Sequence, residues 1–332
     1  MQSNYGVFWL NDDFFDECLE IIDQKRLPFE YHTKHLTNTK EVLDAIKELP
    51  CDGGVIRSIA LFGIFIAALE AEGNYERVLQ SAKLIKESRC DITNFEVIID
   101  RALNLLSVSQ NIIEDARKQA LDLSDDTQIE SKKIAEYGCK IIEDISKDSS
   151  KEKINILIHS SNMAVFTIIY EAIKRDLDIH IWVEASEGQA LWELSKSGIN
   201  YSVIDESGSL LQNKEIDLVI VGAIGVDECG KTTNRAGTYL KAIGAHENLI
   251  PFYVVALELD FGFLYTPKPQ EKPFFAKGVD SEGLFREIQT TQDKSKNMSY
   301  GFDTTPAKFI TGFITPEGIY KKDFDKISKK FN

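Results

Sequence analysis

The second half of the chain alternates short apolar runs with amphipathic stretches. The apolar runs have the length and β-branched character of buried strands, and they fall at residues 154–158, 179–183, 201–204, 216–221 and 252–256. The stretches between them repeat apolar residues at helical spacing, and helices are expected from Val165, Gly188 and Asn234. Regular alternation of strand and helix predicts an α/β fold with a doubly wound, Rossmann-like parallel sheet.

The first part of the chain has a different, mainly helical pattern. Apolar spacing predicts helices at residues 13–24, 38–49, 54–72, 74–87 and 93–106, and strands only at 6–10 and 29–32. A further helix is expected over 110–123, with a break at the polar residues 124–127 and a restart at 129. These patterns predict a mainly helical N-terminal domain over residues 1–128 and a Rossmann-like α/β domain over residues 129–332.

Polar residues follow three of the predicted strands. Residues 159–162 come after the first strand, 184–187 after the second and 223–233 after the fourth. The carboxyl ends of parallel strands meet at one edge of the sheet, where small ligands bind. Asn234, with the two threonines before it, is expected to cap the next helix, and Arg235 adds positive charge beside the unpaired N–H groups. This arrangement predicts an anionic ligand, most simply a phosphate.

Composition and charge limit the class of partner. With 38 basic and 53 acidic residues the net charge is −15, which repels a polyanion, so no nucleic-acid binding is expected. The most apolar run, 55–69, is interrupted by Arg57 and Ser58 and is short for a membrane span, and the first residues lack a signal-peptide pattern. The five cysteines are scattered without a C-x-x-C pair, which favours free thiols. We expect a cytoplasmic protein with no membrane partner, no metal and no cofactor.

Two motifs resemble those of a known family. GAIGVDECGKTTNRAGTY (222–239), and FDTTP with FITGFITPEGI (302–306 and 309–319), are similar to the signatures shared by methylthioribose-1-phosphate isomerases, ribose-1,5-bisphosphate isomerases and the alpha, beta and delta subunits of translation initiation factor 2B. Shorter matches, GVFWL near the start, Ser88-Arg89 and ILIHS (156–160), extend the resemblance over nearly the whole chain. The resemblance implies a phosphorylated sugar or a related metabolite as ligand, and a homodimer.

The resemblance also implies two catalytic positions at which this chain departs from the family. The isomerases convert an aldose 1-phosphate into a ketose phosphate, with a cysteine and an aspartate placed to move protons. Here Ser160 stands at the position of the cysteine and Ile224 at that of the aspartate. A serine hydroxyl is a far poorer acid than a thiol with a pKa of about 8.5, and isoleucine carries no proton. We therefore expect methylthioribose-1-phosphate to be a poor substrate.

Candidate site residues follow from the strand-end loops and the resemblance together. The expected phosphate-binding residues are Arg57, Arg89, Ser161, Asn234 and Arg235. The expected proton-transfer residues are Ser160, His159, Asp227 and Glu228, the last two as carboxylates in the loop of Ile224. Some have a structural alternative: the serines as helix caps, the histidine as a satisfied strand-end residue, and the acidic pair as solvated loop residues. Asp303 is expected to be structural, in a turn that caps the helix after it.

Two functions of different class remain open from the sequence. One is a divergent sugar-phosphate isomerase that interconverts the aldose and ketose forms of a phosphorylated pentose derivative. The other is a non-catalytic phosphometabolite-binding or assembly protein similar to the initiation factor 2B subunits. The apolar segment from Phe261 to Tyr265 is expected at the interface of a homodimer built through the α/β domain, or packed on the C-terminal part of its own chain.

Overall fold

The chain forms two compact units. The computed structural model describes residues 7–12, 15–48, 53–88, 95–149, 151–262, 269–271, 275–282, 285–291 and 297–321. Residues 1–25 and 32–130 make up the first unit, and residues 26–31 and 131–332 make up the second. The predicted limits of independently folding domains stay a prediction.

The first unit combines a small antiparallel sheet with helices. The strands β1 (Val7–Asp12), β2 (Phe15–Ile22) and β3 (Thr33–Leu36) pair in the order β1-β2-β3. The helices are α1 (Thr39–Glu48), α2 (Gly53–Glu70), α3 (Tyr75–Ser88), α4 (Phe95–Leu106) and the first part of α5 (Ile112–Ser149). Most of α2 is buried, and Gly63 lets it approach α1, because a Cβ there would lie 2.7 Å from Val42 Cγ1.

Three predictions for the N-terminal part are wrong. The predicted helix at 13–24 is strand β2, whose residues 18, 19, 21 and 22 are all buried, and a run covered on both faces satisfies helical spacing as well. The strand expected at 29–32 is β3, a few residues later. Helix α5 passes unbroken through 124–127, where Thr127 Oγ1 donates to the Leu123 carbonyl (2.7 Å) and so satisfies a polar side chain within the helix.

The second unit is built on a seven-stranded sheet. Its elements in chain order begin with β4 (Ile154–His159), α6 (Met163–Lys174), β5 (Ile179–Glu184), α7 (Gly188–Ser197), β6 (Tyr201–Ile204), α8 (Gly208–Gln212) and β7 (Leu218–Gly222). They continue with β8 (Gly225–Val226), β9 (Thr232–Arg235), α9 (Thr238–Glu247) and β10 (Phe252–Val255). The last are β11 (Pro269–Glu271), β12 (Phe275–Val279), β13 (Phe285–Gln289), β14 (Met298–Tyr300), β15 (Phe302–Thr305), β16 (Gly312–Thr315) and β17 (Gly318–Tyr320).

The order of the sheet confirms the doubly wound α/β fold. The strands lie in the order β17-β16-β10-β7-β4-β5-β6, and all pairs are parallel except β16 with β17. From β4 the chain winds outward through β5 and β6, and from β7 it winds the other way through β10 and β16. The winding therefore reverses between β4 and β7, and the crevice at their carboxyl ends is where this class of sheet binds ligands.

The five strands predicted in the second half are β4, β5, β6, β7 and β10. Leu157, Val219, Phe252 and Phe313 have no exposed surface in the core between the sheet and its helices. Of these, β4, β7 and β10 are covered on both faces, and such strands are continuous apolar runs, which explains why the sequence predicts them. Within the described residues, no helix is long and apolar enough to cross a membrane.

Candidate functional site

The site lies where β4, β5 and β7 end, at the reversal of the sheet's winding. β4 ends at His159, β5 at Glu184 and β7 at Gly222. A Cβ on Gly222 would lie 2.3 Å from the side-chain nitrogen of Asn162, so glycine is required for the end of β7 to approach the start of α6.

The turn after β4 is ordered by Asn162. Its side-chain oxygen accepts the N–H groups of Ala164 and Val165 (3.0 and 3.2 Å), so Asn162 is the N-cap of α6 and the serines before it are not. Ser161 Oγ donates to Gln189 Oε1 (2.9 Å) at the start of α7. Ser160 is half-buried and has φ = 66°, a left-handed conformation that is unusual for a residue other than glycine. The backbone is therefore strained at Ser160, one of the predicted proton-transfer residues.

His159 is buried at the centre of a group of charged side chains. Its Nε2 lies 3.1 Å from the Ala236 carbonyl oxygen, and its Nδ1 lies 3.5 Å from Glu187 Oε1 and 3.8 Å from Glu184 Oε2. A carbonyl can only accept, so Nε2 carries the hydrogen and Nδ1 of the neutral ring has a lone pair. Burial, helped by the nearby Lys241 ammonium, lowers the pKa of His159 to about 4 against the attraction of Glu184. The imidazole is therefore neutral at neutral pH.

Two carboxyl groups next to His159 have opposite electrostatic surroundings. Glu184 Oε2 accepts from Lys241 Nζ (2.8 Å) and Glu184 Oε1 accepts from the Ser207 N–H (3.3 Å). Burial raises the pKa of Glu184, but the hydrogen bond and charge of Lys241 outweigh it, so the net pKa is lowered and Glu184 is ionised. Burial raises the pKa of Glu187 instead, because its nearest cation, Arg235, compensates only in part.

Arg235 connects this buried group to solvent. Its Nε lies 3.2 Å from Glu187 Oε1, and its side chain is 41% exposed whereas that of Glu187 is 2% exposed. Among the described residues, His159 Nδ1 and Glu187 Oε1 have no hydrogen-bond partner. We call His159, Glu184, Glu187, Arg235 and Lys241 the switch-point cluster. If Glu187 is protonated and the imidazole is neutral, the charges of Arg235 and Lys241 exceed that of Glu184 by one. The cluster then has one net positive charge, which suits an anion.

The start of α9 differs from the sequence prediction. Residues 232–235 form β9 between β8 and β15, so Asn234 does not begin the helix, and α9 starts at Thr238 after Gly237 (φ = 105°). The β-branched Thr232 and Thr233 favour the strand, which explains the error. The N–H groups of Gly237 and Tyr239 donate to the carboxylate of Asp303 (2.7 and 3.1 Å), not to an external anion.

Two of the predicted phosphate ligands are affected by this correction. Asn234 is buried and its amide donates to Thr238 Oγ1 (3.1 Å), which occupies the side chain in the β9–α9 turn. Arg235 lies on β9 rather than beside the unpaired N–H groups of α9, and its contact is with Glu187. Asp303 is structural as expected, although it caps the helix that precedes it in the chain, not the one that follows.

The loop that follows Ile224 forms the β8–β9 hairpin. Asp227 Oδ1 accepts from the N–H groups of Cys229 and Lys231 (2.9 and 2.8 Å), and its own N–H donates to the Lys231 carbonyl. The Asp227 carboxylate thus has a local role in the turn, and Glu228 is exposed at its tip. Strands rise about 3.3 Å per residue, so the hairpin tip lies on the order of 10 Å along β9 from Arg235. The structure does not bring these two carboxylates to the switch-point cluster.

The remaining candidates lie elsewhere. Arg57 is buried in α2 of the first unit, 3% exposed. Arg89 and residues 263–265 lie outside the described residues, and Phe261 is buried against Phe313 in the core of the second unit. Within the described part of the chain, no group of three His, Cys, Asp or Glu side chains is arranged to hold a metal ion.

Sequence reasoning missed three members of the cluster. Glu184 and Glu187 were part of a strand-end loop without an assigned role, and Lys241 was not considered. Lys241 shares the buried face of α9 with Thr238, Ala242 and Ala245, at helical spacing. A lysine within such a face was the available signal, because lysine is almost never fully buried without a partner.

Comparison with known proteins agrees with the fold. The fold defines a protein of the doubly wound α/β class with an additional, mainly helical unit. Residues 59–322 match the initiation factor 2 subunit family, and the chain belongs to that family.

The similar proteins include enzymes and initiation factor subunits. A methylthioribose-1-phosphate isomerase of Sulfurimonas denitrificans is 46% identical, covering 100% of this chain and 99% of its own length. One of Desulfosudis oleivorans is 30% identical over 97% and 96%. Among solved structures, the eIF-2B delta subunit of A. fulgidus superposes with a TM-score of 0.75 at 25% identity, over 98% of this chain and 100% of that one. The 5-methylthioribose 1-phosphate isomerase of Pyrococcus horikoshii has the same fold, with a TM-score of 0.75 at 21% identity over 99% and 96%.

Proposed function

We propose that this chain is a sugar-phosphate isomerase that interconverts the aldose and ketose forms of a phosphorylated pentose derivative. Relatives named methylthioribose-1-phosphate isomerase, similar along essentially the whole chain, support this reaction class. The observation that carries the proposal is the switch-point cluster, where a partly exposed arginine lies beside buried groups able to hold a proton.

The proposed reaction moves the hydrogen on C2 of the sugar to C1, and the proton of the C2 hydroxyl to the ring oxygen. The bond from the ring oxygen to C1 breaks as the C2 carbonyl forms. Such a transfer needs groups that accept and donate a proton, in a site from which water is excluded. We propose that Arg235 binds the phosphate and that His159 and the strained Ser160 turn lie next to the reacting carbons. Asp227 and Glu228 are not part of this proposal, because of their place in the hairpin. Phosphate-binding roles for Arg57 and Arg89 stay predictions.

The alternative, a non-catalytic binding protein, is not favoured. The relatives at 46% and 30% identity, both similar over nearly the full chain, are named as isomerases. The switch-point cluster also supplies buried proton-holding groups that a passive phosphate site does not need.

The direct test is turnover of a panel of pentose 1-phosphates that includes methylthioribose-1-phosphate, with ketose formation followed by NMR. We expect at least one member to be converted. Turnover of methylthioribose-1-phosphate is expected to be roughly 10²–10⁴-fold slower than in an enzyme that has both proton-transfer groups. The reason is that Ser160 and Ile224 stand where the resemblance implies an acid and a base. Turnover of that compound at ordinary enzyme rates would show that these two positions are not limiting, and conversion of no member would refute the isomerase.

A variant tests the phosphate site separately. Arg235→Ala should weaken binding of the converted sugar phosphate about 10- to 100-fold, because a hydrogen bond to a charged group contributes roughly 1.5–3 kcal/mol. Arg175→Ala is the matched control: it removes an arginine at the end of α6 that is paired with Glu171 and Glu143, away from the carboxyl edge. Unchanged affinity in Arg235→Ala would remove this residue from the site.

We also propose that the chain is a homodimer, as the family resemblance implies. Light scattering at micromolar concentration measures the mass directly. A mass of one chain that does not change with concentration would contradict the dimer.

A further inference from the structure

The contact between His159 and Glu187 decides where the switch-point cluster holds a proton. His159 Nδ1 and Glu187 Oε1 are both buried, lie 3.5 Å apart, and have no hydrogen-bond partner among the described residues. The Ala236 carbonyl holds the hydrogen of the ring on Nε2, so Nδ1 presents a lone pair toward Glu187. An ionised Glu187 would place two acceptors against each other, whereas a single proton between them turns the contact into a donor and an acceptor.

The charged groups around this pair come from four elements. From β9, Arg235 Nε lies 3.2 Å from Glu187 Oε1, and from α9, Lys241 is bound to Glu184 at the end of β5. Asp303 on β15 is held by backbone N–H groups at the start of α9. Because Lys241 is already neutralised by Glu184, the ionisation of Glu187 decides whether the charge of Arg235 remains available to a ligand.

We propose that Glu187 and His159 hold one proton between them at neutral pH, and that Glu187 is thereby a positioning residue that fixes Arg235 without neutralising it. The protonated carboxyl donates to His159 Nδ1, and its Oε1 stays in contact with Arg235 Nε at 3.2 Å. The guanidinium is held at one nitrogen and keeps its full charge for an anion at the carboxyl edge. The direction of both titrations agrees with this state, since burial lowers the pKa of His159 and raises that of Glu187.

This inference rests on the proposed function for the nature of the anion, but its test does not require turnover. The probe is inorganic phosphate at about pH 7.5, titrated by calorimetry into the full chain. Glu187→Gln keeps a donor for His159 and an acceptor for Arg235, as a protonated carboxyl does, and should bind phosphate within about twofold of the parent protein. Glu187→Ala leaves Arg235 without its anchor and should bind about tenfold more weakly. Glu215→Gln, an exposed residue, is the matched control.

Two spectroscopic measurements report the proton itself. The infrared difference between parent protein and Glu187→Gln should contain the carbonyl stretch of a protonated carboxylic acid, which Glu215→Gln lacks. Nitrogen-15 spectra of labelled histidine, assigned with His159→Gln, should show a neutral ring with its hydrogen on Nε2. A carboxylate band together with a neutral ring, or a Glu187→Gln protein that binds as weakly as Glu187→Ala while melting like the parent, would overturn the proposal. An inactive protein that gives the expected spectra and phosphate affinities would refute the isomerase and leave the shared proton standing.

Discussion

Replacing Lys241 with methionine tests the electrostatics of the cluster most severely. Methionine keeps most of the apolar stem but removes the ammonium that lies 2.8 Å from Glu184 Oε2. Glu184 would then keep the Ser207 N–H at 3.3 Å, while the lone pair of His159 Nδ1, 3.8 Å away, offers it no hydrogen. Both partners of the Lys241–Glu184 pair are less than one tenth exposed, so the carboxylate would remain buried without a cation.

The expected loss of stability is large. Breaking a buried pair by removing one partner typically costs about 3–5 kcal/mol. For a unit of this size, about 2–4 °C of melting temperature correspond to each kcal/mol, so Lys241→Met should melt roughly 6–20 °C lower near pH 8. Lys196→Met, an exposed lysine on α7, should change stability by no more than about 0.5 kcal/mol.

The dependence on pH separates lost charge from lost packing. In the parent protein the pKa of Glu184 is lowered, so its stabilising contribution is present above its unfolded value of about 4.3 and is lost only as the pH falls below that. In Lys241→Met burial is no longer opposed, so Glu184 takes up a proton more readily and the deficit should shrink between about pH 8 and pH 5.5. A deficit that stays constant with pH, or a melting temperature near pH 8 within about 2 °C of the parent, would refute the reasoning. The double variant Glu184→Gln, Lys241→Met should regain most of the loss, since no charge is then left unpaired.

Three further variants test neighbouring parts of the site by thermal melting. The pKa of His159 is about 4 in the folded protein and about 6.5 in the unfolded chain, so its stabilising contribution is complete above about pH 6.5 and is lost as the pH falls toward 4. His159→Gln should flatten that decline in stability, whereas His246→Gln, at an exposed histidine, should not. Gly237→Ala should cost roughly 2–3 kcal/mol of stability, because φ is 105° and the new Cβ would lie 3.2–3.3 Å from atoms of Lys241 and His159. Gly198→Ala is the control: φ is 75° but the space is open, so the cost should be about 1 kcal/mol. Equal losses in the two variants would show that Lys241 and His159 do not crowd the new Cβ. Asp303→Ala should cost about 1–2 kcal/mol by removing the cap of α9, and an unchanged melting temperature would show that water replaces the carboxylate.

The sheet could be predicted because its physical cause is local in sequence. Strands β4, β7 and β10 are covered on both faces, so each is a continuous apolar run ended by polar residues or glycine. Their parallel arrangement then followed from the helices between them. The sequence therefore predicts which edge of the sheet carries the carboxyl ends of the strands.

The errors arose where a partner distant in sequence decides the structure. β2 is a strand because β1 and β3 flank it, and β9 is a strand because β15, about 70 residues later, pairs with it. The same is true of the site: Glu184 meets Lys241, 57 residues away, only after the sheet has formed. Apolar periodicity reports whether a residue is buried, but not which charge it meets.

The energetics of the cluster favour a functional role over a structural one. Removing two carboxyls, a lysine and a histidine from water costs several kcal/mol for each ion, and a buried ion pair often contributes less stability than apolar side chains of similar volume. The rest of the unit's core shows that such packing is available, since buried valine, isoleucine and phenylalanine side chains line the strands. The ionisable groups of the cluster instead occupy the edge where the winding reverses, beside a serine with left-handed backbone, and its arginine is partly exposed. Residues that break the rule of an apolar interior at the position where this class of fold binds ligands are best explained by a ligand.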